Sequence, residues 1–217
     1  MTDPAFQRAR SHDAKETSTA AILRSAREQA EARSVREVTL TDVAAGVGMH
    51  KSTMLRYFET REEIFLRLTA QEWTEWSAEA VRELIAASPA TAETVAEILS
   101  ATLVRRPLFC DLLAQAPLNL ERGVSLPIVK DFKLTAIASA AAVADAIADT
   151  LKLEPAAARN VTATATAMAG ALWQMAAPGT TVRNLYESDP ELSHAVVDVG
   201  PRLAAIIHAL IVGYLTH

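Results

Sequence analysis

Lys51, Ser52 and Arg56, with Thr53 among them, are the residues whose types and spacing suggest a chemistry. Lysine and arginine reach phosphate oxygens or guanine edges, and short hydroxyls let a helix backbone approach a groove. All four fall in Lys51–Phe58, which reads as a short helix with Met54, Leu55 and Phe58 facing inward. Arg61 opens the next helical stretch, where a cation opposes the helix dipole unless a phosphate lies beside it. Other chemistries lack their residues. The chain has no HExxH, GxxxxGK[ST], GxSxG or dinucleotide fingerprint. His194 and Asp198 could share a helix face, but two ligands do not hold a metal, and Asp189 or Glu191 would be guesses. Cys110 and Asp111 have no histidine near them in sequence. The expectation is a protein that is not an enzyme and needs no cofactor and no metal.

The elements that must position the four residues are legible. Thr39 suits an N-cap, and Asp42 three residues on partly imitates a capping box. Leu40, Val43, Ala44 and Val47 make one apolar helical face. Gly48 can take the left-handed backbone that ends a helix, and Met49 returns to the core. Two short helices around a glycine turn, over Thr39–Phe58, have the form of a helix-turn-helix. A supporting helix is predicted over about Ser18–Arg33, with Ile22, Leu23, Ala26 and Ala30 inward.

The stretch AAGVGMHKSTMLRYFETREEIF resembles the TetR family of transcriptional repressors. Thr39 matches the threonine that opens that family's second helix, Val43 and Ala44 its apolar pair, Gly48 its turn glycine and Met49 the apolar residue after it. Thr53 and Met54 stand in the recognition helix, Tyr57 and Phe58 close it, and Arg61, Glu62 and Glu63 open the fourth helix. The resemblance covers roughly residues 19–68. It implies backbone contacts by Lys51, Tyr57 and Arg61, so the DNA-binding set becomes Thr39, Lys51, Ser52, Thr53, Arg56, Tyr57 and Arg61. The chain departs from the family at His50, where serine usually caps the recognition helix. It departs again at Leu55, where a tyrosine often donates to phosphate, and at Ser34, where glycine usually ends the first helix.

Composition fits this reading. The 217 residues are half apolar but only 5% aromatic, which favours helices over sheets. One cysteine excludes an intrachain disulfide and suits the cytoplasm. No signal peptide is legible, and Asp145 and Asp149 cut the most apolar run, so no transmembrane helix is expected. The net charge of −5 argues against nucleic acid when taken whole. Residues 1–70, however, hold 11 Lys+Arg against 10 Asp+Glu, whereas residues 71–217 hold 10 against 16. A head so weakly basic favours a dimer, because two heads on one duplex add their contacts.

Beyond the head, Thr60 and Glu63 read as a capping box starting a helix to about Ala87, carrying Trp73 and Trp76 on one face. Further helices are predicted over Thr91–Val104, Leu108–Ala114, Ile128–Leu153, Pro155 to Met175 and Glu191 to about Leu215. Pro117–Pro127 reads as a loop. Ala163, Ala167 and Ala171 recur at spacing four and permit close helix approach. The last two long helices are therefore the expected homodimer surface, as a four-helix bundle. Phe109, Phe132, Met168, Trp173 and Met175 are the candidate lining of a pocket for a small apolar or amphipathic effector.

The fold class is thus all-α: a three-helix DNA-binding head with a helix-turn-helix (18–68), after a flexible arm (1–17), then a larger helical effector-binding and dimerisation body (69–217). In the arm, Arg8 and Arg10 could reach a minor groove or backbone. The expected function is a ligand-responsive regulator, a repressor that binds a palindromic operator in double-stranded DNA as a homodimer and is released by its effector, with no membrane partner. The alternative is a helical interaction protein whose degenerate head no longer binds DNA.

Overall fold

The computed structural model describes residues 4–176, 178–193 and 196–216, with the side chains of 4–14 outside the description. Arg8 and Arg10 therefore lie outside the described side chains, and His194 outside the described residues. The described elements are helical: α1 Pro4–Ala32, α2 Leu40–Gly46, α3 Lys51–Met54, α4 Arg61–Ile85, α5 Ala92–Val104, α6 Pro107–Gln115, α7 Leu126–Leu151, α8 Pro155–Ala176, α9 Thr181–Ser188 and α10 Val199–Leu215. One hydrophobic core runs from Ile22 on α1 to Ile211 on α10.

Several boundaries differ from expectation. The first helix is described from Pro4 onward, so residues 4–17, expected as part of an arm, continue α1. Pro117–Pro127 is a π turn over Ala116–Leu120 followed by a 3-10 turn over Glu121–Gly123, rather than an open loop. The helix predicted from Glu191 begins later, and a helix that was not predicted precedes it. Thr180 accepts the Arg183 N–H and starts α9, while α10 begins only at Val199. Pro201 explains the late start. It must lie in the first turn, since deeper in a helix its ring would strike the carbonyl four residues back.

α4 is the axle. Thr60 accepts the Glu63 N–H at its start, and Glu63 reaches back to the Glu59 N–H at 2.6 Å, one residue earlier than a capping box requires. Further along, Trp73 and Trp76 stand edge to face at 5.5 Å, and Phe109 of α6 packs against both, 5.4 Å from Trp73. The Trp76 indole donates to the Thr102 hydroxyl on α5 at 3.1 Å. This cluster joins α4, α5 and α6, with the packing role expected of the tryptophan pair. Ile85, at the helix end, is 74% exposed.

α7 lies along α4 and α8. It is long and apolar enough to cross a membrane by length and composition, despite Asp145 and Asp149. Phe132, Val143, Ala144 and Ile147 are buried, whereas Ile137 is 63% exposed.

Candidate nucleic-acid interface

The turn between α2 and α3 is built by local chemistry. Thr39 is the N-cap of α2: its hydroxyl accepts the Asp42 N–H at 3.2 Å, and Asp42 Oδ2 accepts from the Thr39 N–H at 2.8 Å. The Thr39 hydroxyl also donates to Asp42 Oδ2 at 2.7 Å. These bonds, the side-chain one first, hold the Asp42 carboxyl below the usual aspartate range. At the other end Gly48 takes φ +65°, which a Cβ would disfavour. Its N–H donates to the Ala45 carbonyl at 3.1 Å and that of Met49 to Ala44 at 2.9 Å, the paired bonds of a Schellman stop.

α3 is shorter than predicted. It is helical over Lys51–Met54, and tight i→i+3 bonds carry the chain to Tyr57. His50 occupies the N-cap without a side-chain hydrogen bond, so one source of helix stability is missing. Met54 and Phe58 are buried as expected, but Leu55 is 48% exposed. Positions 54 and 58, four apart, share the inward face, and 55 is rotated about 100° from 54. Leu55 thus joins Lys51, Ser52 and Arg56 on one exposed face, as its spacing of four from Lys51 could have indicated. Among the described residues no ion pair holds Lys51 or Arg56. Thr53 is half-buried at the edge of this face, and Tyr57 packs half-buried against the core.

The other two members of the expected set are engaged within the head. Thr39 is exposed, with its hydroxyl proton directed to Asp42. Arg61 donates to the carbonyls of Val35 and Val38 and pairs with Glu62 at 3.1 Å.

Charge also joins head to body. Glu72 on α4 is buried and accepts from Arg27 of α1 and from Arg106 at the start of α6, the latter at 3.2 Å. Burial works against the Glu79 carboxylate, but hydrogen bonds from Arg105 and Arg106 outweigh it and keep its carboxyl below the usual range. The arginine pair is therefore occupied by α4 carboxylates. Asp111 of α6 accepts the Val35 N–H at 2.7 Å and the Gln174 amide at 2.9 Å.

The five residues expected to line one effector pocket lie apart. Phe109 is fully buried in the tryptophan cluster. Phe132 lines a groove of about 220 Å³ with Leu66, Ile128 and Thr135, between α4 and α7. Trp173 borders two adjoining clefts, one of about 850 Å³ shared with the 30–37 segment and one of about 430 Å³ shared with α9. Met168 is half-buried against the core, while Met175 is 56% exposed on α8. Four-residue spacing along separate helices gave no information on which faces converge.

Comparison with known proteins adds the family. Residues 22–68 match the model for bacterial regulatory proteins of the tetR family, and residues 70–217 match the tetracyclin repressor-like C-terminal domain. Among solved structures, that of Thermus thermophilus FadR, a TetR-family transcriptional repressor in complex with lauroyl-CoA, is 23% identical. Its TM-score is 0.46, with 86% of this chain and 93% of that one covered. Mycobacterium smegmatis AmtR is 17% identical, with a TM-score of 0.43 and coverage of 88% and 92%. No curated protein is significantly similar. With a head and a body that both match, the chain belongs to the TetR family of transcriptional regulators and is not an enzyme.

Proposed function

We propose that the chain is a ligand-responsive repressor that binds a palindromic operator as a homodimer. The observation that carries the reading is the exposed face of α3, where Lys51 and Arg56 have no ion-pair partner among the described residues. Lys51 and Arg56 bind phosphate or guanine, Ser52 and Thr53 allow close approach, and Leu55 offers an apolar contact to a thymine methyl. Tyr57 and the N-terminus of α2, capped by Thr39, border the same contact.

The homodimer reading rests on α8 and α10. Ala163, Ala167 and Ala171 are exposed on α8 in line with Met175, and Ala205, Ala209, Val212 and Gly213 are exposed on α10. Small apolar residues on two antiparallel-capable helices suit a four-helix interface. A small apolar or amphipathic effector fits the lining offered by Phe132 or by Trp173, and binding there shifts the spacing of the two heads.

The test selects duplexes from a random-sequence library with the purified protein and measures affinity against salt. Enrichment of a palindrome is expected, and Lys51→Ala should weaken binding to every duplex while reducing the magnitude of the log–log salt slope by about 1.8, one phosphate contact being lost from each protomer. Binding that is absent or independent of salt sinks the DNA reading and favours a helical interaction protein with a degenerate head.

A further inference from the structure

Arg61 has the charge of a phosphate contact and the surroundings of a clamp. Its Nε donates to the Val38 carbonyl and one terminal nitrogen donates to the Val35 carbonyl. The other terminal nitrogen meets Glu62 Oε1 at 3.1 Å, so the cation already has a counter-charge. The guanidinium also covers the ring of Phe65, 4.6 Å from its centroid, and that ring is fully buried. Val35 and Val38 bracket the segment that leads from α1 into Thr39, the N-cap of α2. Their side chains are anchored in the core, at 1% and 0% exposure. From the body, Asp111 holds the same segment through the Val35 N–H.

We propose that Arg61 is a positioning residue: it fastens the 35–38 segment to the start of α4 and thereby fixes the angle at which the helix-turn-helix meets DNA, instead of lending its charge to a phosphate. The inference rests on the DNA-binding reading above for its effect on affinity, though not for the clamp itself. α4 runs from Arg61 to the tryptophan cluster packed on α6, so this fork is one route by which displacement of α4 by the body reaches α2. Only a planar guanidinium presents donors in a fixed fork to two carbonyls while stacking on a ring. A lysine ammonium keeps the charge and loses that geometry.

Arg61→Lys separates the roles. A phosphate contact tolerates lysine, so affinity and salt slope would both persist. The clamp does not, so binding should weaken roughly tenfold with an unchanged salt slope. Arg61→Gln should match the lysine variant under the clamp, whereas loss of a phosphate contact from each protomer reduces the slope's magnitude by about 1.8. Amide hydrogen exchange on the DNA-free full chain supplies an independent readout. Arg61→Lys should accelerate exchange across Val35–Val43 and leave α8 as in the parent protein. Retained affinity in Arg61→Lys, a reduced slope in Arg61→Gln, unchanged exchange at 35–43, or acceleration throughout the chain each overturns the proposal. If the parent protein binds no duplex, the DNA reading fails by itself, and the exchange comparison still decides the clamp.

Discussion

Thr39 and Asp42 illustrate how far single residues decide local structure here. Their reciprocal hydrogen bonds satisfy two backbone donors at the start of α2. Thr39→Ala should lower stability by about 1 kcal/mol, read from the urea midpoint at an unchanged slope. The same pair sets a pH dependence. The Asp42 carboxyl is depressed in the folded state, so its contribution is complete above the ordinary aspartate range and lost as pH falls through the depressed value. Acid should therefore narrow the gap between the parent protein and Asp42→Asn, and a gap constant across that range would contradict the assignment. Cys110 shows the opposite influence. Burial first, then the charges of Asp111 and Glu72, push its thiol up to about 12. A thiol reagent at pH 8 should label it only on unfolding, because the thiolate is the nucleophile.

Between elements, contact depends on backbone separation as much as on side-chain pattern. Gly170 of α8 faces α6 and not the exposed alanine stripe. A Cβ there would lie 2.9 Å from the Ala114 amide nitrogen and 3.3 Å from its Cα. Backbone cannot turn aside as a side chain can, so Gly170→Ala should destabilise by about 1–3 kcal/mol, measured by thermal or urea unfolding. A neutral result would mean that α6 and α8 move apart freely. The network around Glu72 joins elements as well. α1, α4 and α6 meet at one buried carboxylate, and its partners Arg27 and Arg106 retain 27% and 22% of their side-chain exposure. That arrangement, with Asp111 on Val35, gives the body two polar connections to the head beside the apolar core.

For the whole molecule, the decisive surface is the one that remains uncovered. The exposed alanines of α8 and α10 place small apolar residues at the face proposed for a second copy. Ala167→Glu should yield a folded monomer in size-exclusion light scattering. It should also weaken operator binding by more than tenfold, since one head loses the help of its partner. A dimer that persists in this variant would move the interface elsewhere, with the exposed Leu134 and Ile137 of α7 as the next apolar face.

The sequence by itself determined what depends on neighbours along the chain. Caps at Thr39, Thr60 and Thr91, the stop at Gly48 and the start at Pro155 are all where local hydrogen bonding and backbone freedom require them. The same locality made the helix-turn-helix and its family legible from residue types at fixed spacing. Tertiary structure decided what depends on distant partners. It turned Leu55 outward, engaged Arg61 with the carbonyls of Val35 and Val38, and dispersed the five residues expected to share one pocket. It also formed α9 over Thr181–Ser188, where no helix was expected, and delayed α10 to Val199. Periodicity reports which residues share a face, whereas packing energy, summed over the whole core, selects which face is covered and by what.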